Sequence, residues 1–128
     1  MSPVSFETEY YRLLVKDGIL FVTYIGGPIT IKIAKDLVKD RLKLVDSKDM
    51  PVIVNVIDVN SIDRDARDYL SSEAGLQGLK AGAIVTDYSV FTRHLANFFM
   101  RISFSKSKMP AKVFSEEKEA IAWLKQFK

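Results

Sequence analysis

Apolar and polar residues follow two periods along this chain, and each change of period marks an element. Phe6 to Val15 and Ile19 to Ile25 are strand-like runs, joined by Lys16-Asp17-Gly18. Asp-Gly supplies the backbone freedom of a tight hairpin, so the two runs pair antiparallel. In the first, Phe6, Glu7, Thr8 and Glu9 alternate as an edge strand with one face in water does. Gly26-Gly27-Pro28 ends the second. The period then becomes helical: Ile33, Ala34, Leu37, Val38, Leu42 and Val45 form an apolar stripe on a helix from Ile31 to Val45, with Thr30 as its N-cap. Lys32, Lys35, Asp36, Lys39, Asp40 and Lys43 mostly lie off that stripe.

The stretch from Pro51 to Arg67 organises the rest. Val52, Ile53, Val54, Val56 and Ile57, interrupted by Asn55 alone, are apolar on both faces, as a central strand buried between layers is. Asp58-Val59-Asn60-Ser61 is a turn, and Asp63 caps a second helix running through Ala66, Tyr69, Leu70 and Ala74 toward Leu79. Ala81 to Thr86 is another short apolar strand. Asp87 or Ser89 opens a third helix, with Phe91, Leu95, Phe98 and Ile102 on one face. A basic loop from Ser105 to Pro110 leads to a last strand, Ala111 to Phe114. Ser115 opens a terminal helix whose first turn carries the acids that a helix dipole favours, with Ala120, Ile121, Leu124 and Phe127 facing inward and Trp123 beside them. The order β-β-α-β-α-β-α-β-α implies an α/β fold: a five-stranded, mixed but mainly parallel sheet packed with four helices.

Composition narrows the function classes. At 128 residues the chain is one domain, spanning 1–128, and large enough for a hydrophobic core without staples. It has no cysteine, which excludes disulfides, thiol catalysis and thiolate metal sites and suits a reducing cytoplasm. Its net charge of +3 is mild and spread among acids, so nucleic acid is not an expected partner. The start of the chain has acids where a secretory signal has an apolar core, and no segment is apolar for the ~20 residues of a membrane span. A cytoplasmic protein without integral membrane association is the expectation.

The element order, with a hairpin first and a polar loop after the central strand, resembles the STAS domain (SpoIIAA-like) superfamily. Ala66-Arg67-x-Tyr69, Glu73-x-Gly75-Leu76, Arg93, Asn97-Phe98-Phe99, Pro110-x-Lys112-Val113-Phe114 and Ala120-x-x-Trp123-Leu124 look like a branch of small bacterial STAS-like proteins. The resemblance covers essentially the whole chain. Its best-known members are anti-sigma-factor antagonists, in which a partner kinase phosphorylates a serine at the helix start after the central strand. Here Asp58 matches the aspartate ending the strand and Asp63 the one before the serine, but the serine position falls on Arg64, and Ser61 comes two or three residues early. The resemblance therefore carries the fold to this chain, and Arg64 argues against a phospho-regulated antagonist.

Candidate binding residues gather in two places. Asp58, Asn60, Ser61, Arg64 and Arg67 stand at the carboxyl end of the central strand, where open α/β sheets meet ligands. Asx residues in such turns commonly serve loop amides, while a helix N-terminus with arginines attracts an anion or an acidic partner. Arg93 and Asn97 share a face of the third helix, and Lys112 follows on the last strand. The aromatic helix beside Arg67, Arg93 and Lys112 suggests a pocket, apolar at one end and cationic at the other, for a small lipophilic or anionic ligand. Phe99 and Met100 project from a wider arc and leave apolar surface for a homodimer. His94 is the single histidine, too little for a metal site of the usual type. The hydroxyl residues lack a His/Asp constellation, and Gly26-Gly27-Pro28 lacks the spacing of a phosphate-cradling loop. No catalytic residue, metal or cofactor is expected. A regulatory, non-enzymatic module acting on a protein partner or on itself is the first reading, with the small-ligand binder as its alternative.

Overall fold

The structure, a computed structural model, describes residues 4–46, 48–87, 94, 97 and 109–128. Strands β1 (Val4–Glu7), β2 (Tyr11–Lys16) and β3 (Ile19–Tyr24) form an antiparallel meander. Asp17 and Gly18 turn the β2–β3 hairpin, both with positive φ (54° and 77°), as expected of Asp-Gly. After a two-residue strand β4 (Pro28–Ile29) comes helix α1 (Ile31–Leu44), capped by Thr30, whose side chain accepts from the Ile33 amide at 3.3 Å. The chain continues through β5 (Met50–Asn55), β6 (Ser61–Ile62), α2 (Arg64–Leu70), α3 (Glu73–Leu76), β7 (Leu79–Val85), β8 (Ala111–Phe114), α4 (Glu117–Leu124) and a closing 3₁₀ turn (Lys125–Phe127).

The main sheet has the order β1-β2-β3-β5-β7-β8, antiparallel across its first two pairs and parallel across the other three. The mixed, mainly parallel class holds, and β5 is central. The sheet has six strands rather than five because Phe6–Val15 divides: Thr8 Oγ1 accepts from the amides of Tyr10 and Tyr11 and turns the chain between β1 and β2. The second helix divides likewise. The side chain of Ser71 bonds back to the carbonyls of Arg67 and Asp68, and Ser72 caps α3 by accepting from the Gly75 amide. Within the third helix of the sequence reading, His94 and Asn97 are helical and exposed. Phe91, Leu95, Phe98 and Ile102 lie outside the described residues.

Alternation along the strands fills two cores. On one face Leu13, Leu20, Val22, Val52 and Ile84 pack under Ile33, Ala34 and Leu37 of α1 and Ala66 of α2. On the other, Ile19, Ile53, Ala81, Ala83 and Val85 pack under Ala120 and Leu124 of α4. Burial of these side chains supplies most of the stabilisation, at roughly 1.5–3 kcal/mol for each large one. The ion pairs between described residues, Arg12–Glu7 and Lys32–Asp36, are exposed and add little. Among the described residues no helix is long and apolar enough to cross a membrane.

Candidate functional site

The carboxyl ends of β3, β5 and β7 lie at one end of the sheet, and the loops leaving them build the first candidate. After Asn55, its Oδ1 accepts from the Ile57 amide at 3.0 Å and the Val59 amide bonds to Val56 O, which curls the chain. Val56 and Val59 bury their side chains in that curl, so Ile57, Asp58 and Asn60 are turned outward and exposed. The next residues are tied down. Ser61–Ile62 pairs parallel with Pro28–Ile29, the Asp63 amide bonds to Ile29 O, and Asp63 Oδ1 accepts from the Ala66 amide at 2.8 Å to cap α2. Arg64 then stands exposed at the first position of the helix.

Beside this loop runs the turn after β3. A Cβ built on Gly26 would lie 3.6 Å from Asp58 O, and the neighbouring Ile25 amide bonds to Tyr10 O at 2.9 Å. Three large apolar residues on these adjoining turns are open to water: Tyr10 (44% exposed), Ile25 (37%) and Ile57 (38%). Asp58 and Asn60 are exposed on the same curl as Ile57, and Ser61 and Arg64 on the chain that follows it, with Ser61 Oγ donating to Asn60 Oδ1 at 3.3 Å.

The structure thus brings together four of the sequence-predicted residues. Arg67 lies one turn further along α2 and is half-buried. Lys112 does not join them. It sits on β8 in register with Ala83, on the face covered by α4, with its Nζ 5.5 Å from the centre of the Phe114 ring. Arg67 and Lys112 are therefore on opposite faces of the sheet and cannot frame one pocket. Asn97 is exposed, and Arg93, Phe99 and Met100 lie outside the described residues. Among the described residues no three side chains gather as metal ligands.

The second candidate is built around Arg41, a residue outside those expected from the sequence. This residue occupies the buried stripe of α1, four residues beyond Leu37 and three beyond Val38, and is only 3% exposed, while Leu42, expected on the stripe, is half-buried. Its guanidinium donates to Gln77 O at 2.7 Å and Gly75 O at 2.8 Å, binding α1 to the end of α3. No described carboxylate pairs with it, and the undescribed stretches contain neither Asp nor Glu. Burial lowers its pKa from the ordinary arginine value to about 10, so it remains a cation at neutral pH. It lines a cavity of about 90 Å³ between the helices and the sheet, whose other walls include Tyr24, Val52 and Leu76. An arginine on an apolar helical stripe was the available signal.

The family model of a domain of unknown function (DUF7793) matches residues 13–128. No curated protein matches the sequence. Among solved structures, the chain is similar to an uncharacterized protein of the DUF3478 family with a SpoIIAA-like fold from Shewanella loihica PV-4. The two are 13% identical, with a TM-score of 0.60 over 96% of this chain and 92% of that one. At that identity the likeness is one of fold, and it bears out the SpoIIAA-like architecture that the sequence resembles.

Proposed function

The chain belongs to the DUF7793 family, a domain of unknown function, and from that premise we propose a non-catalytic regulatory module that docks another protein, or a second copy of itself, on the loop end of its sheet. One observation carries the reading: Tyr10, Ile25 and Ile57 are exposed on adjoining turns, and Asp58, Asn60, Ser61 and Arg64 are exposed on the loop and helix start that follow Ile57. Single exposed apolar residues are ordinary on a protein surface. A group of them inside a polar rim is the anatomy of a protein interface. The polar groups there are suited to recognition rather than to chemistry, since no nucleophile stands beside a base. The reading sets the module in a bacterial cytoplasm, which the cysteine-free sequence suits.

The test is site-specific photo-crosslinking. A photoreactive residue at position 57 is expected to join a defined protein, and the same probe at Lys16, on the hairpin at the far end of β2, is not. Ile25→Asp with Ile57→Asp is expected to abolish the product while leaving Trp123 fluorescence unchanged. Light scattering of the isolated chain tells a second copy from a different partner. Crosslinking that is equal at positions 57 and 16, or that survives the double substitution, overturns the proposal.

A further inference from the structure

We infer that the cavity beside Arg41 is a binding site for a small amphipathic anion, a carboxylate with a short alkyl body, held by the Arg41 guanidinium and the apolar walls. The walls are Val22, Val52 and Ile84 from the sheet with Leu37, Leu70 and Leu76 from the helices. Their chemistry accepts an alkyl group and offers it no polar competitor. The charged end has a different host. Arg41 carries five N–H donors and spends two of them on Gln77 O and Gly75 O. Carbonyl oxygens satisfy hydrogen bonds but leave the cation without a counter-charge, and no acidic residue of the chain supplies one. Tyr24 stands in the same wall, and no described residue accepts a hydrogen bond from its hydroxyl, which leaves that group as a second donor.

Size limits the occupant. An apolar cavity of about 150 Å³ holds benzene, so about 90 Å³ suits an alkyl body of roughly four carbons. Gly82 contributes to this room. A Cβ there would meet Met109 Cε at 3.3 Å and Val52 Cγ1 at 3.9 Å, so a methyl group at this position would occupy part of the space.

Pentanoate titrated into the full chain by calorimetry tests the inference. It is expected to bind saturably at a single site, with 1-pentanol and inorganic phosphate each about tenfold weaker or more, since one lacks the charge and the other the alkyl body. Gly82→Ala is expected to weaken pentanoate binding by about tenfold with Trp123 fluorescence unchanged, and Arg41→Met to remove it. Gly82→Ala keeps the test decisive if Arg41→Met fails to fold. Three results would overturn the inference: no saturable binding, pentanol binding as tightly as pentanoate, or phosphate doing so.

Discussion

Arg41 shows how one residue escapes a reading by period. Five of the six positions read as the buried stripe of α1 are buried or at its margin, and the charged residue beside them completes the stripe. A cation there looks solvated from sequence alone, because nothing local reveals that two carbonyls more than thirty residues away will meet it. What fixes arginine rather than lysine is its planar fork, which spans Gln77 O and Gly75 O at once. Arg41→Lys keeps the charge but reaches one carbonyl at best. It is expected to destabilise the fold by about 1–2 kcal/mol, the cost of one buried acceptor left unpaired, measured by urea unfolding followed through Trp123. An unchanged unfolding midpoint would mean the second carbonyl finds another donor.

Elements were legible where turn and cap chemistry is local. Asp17-Gly18, Thr30 and Asp63 each determine their boundary through their own backbone or side chain, and each sits where the sequence puts it. Asp63→Ala is expected to cost about 1 kcal/mol by releasing the Ala66 amide, seen as a lower thermal midpoint. Boundaries inside continuous runs were not legible. The turn at Thr8 has neither Gly nor Pro, and the break between α2 and α3 is made by two serines within a helical run. The need for that break is clear in Gly75. A Cβ there would collide with Tyr69 O and lie 2.8 Å from Leu70 Cα, both backbone atoms that cannot step aside. Gly75→Ala is therefore expected to cost about 3 kcal/mol or more and to disturb the Arg41 contact as well, since Arg41 donates to Gly75 O. A variant of wild-type stability would refute this close approach.

At the scale of the molecule, the layered α/β fold follows from strand alternation, and so do its two cores. Which charged residues share a face does not, and Lys112 is the example: its distance from Arg67 depends on the face of β8 it takes, which one residue of register decides. The layering also buries Tyr11 and Tyr24, and their titration probes the whole fold. Burial raises the pKa of Tyr24, and burial together with the hydrogen bond it donates to Asp40 raises that of Tyr11, both above the ordinary 10. In each case the unfolded chain loses the proton first. Their stabilisation is thus complete below pH 10 and is lost as pH rises from there through the folded values. Arg41 runs the other way: with its folded pKa lowered to about 10, the unfolded chain holds the proton longer, and stability gains as pH rises above that value. Two groups oppose one, so the fold is expected to weaken above pH 10, with tyrosinate absorbance from Tyr11 and Tyr24 appearing together with the Trp123 unfolding signal. Tyr24→Phe separates the contributions. With no described acceptor for its hydroxyl, the substitution should change stability by less than about 0.5 kcal/mol at neutral pH and should flatten the alkaline fall. A fall as steep as in the wild type would show that Tyr24 ionises in the folded state, and that the wall it shares with Arg41 is open to water.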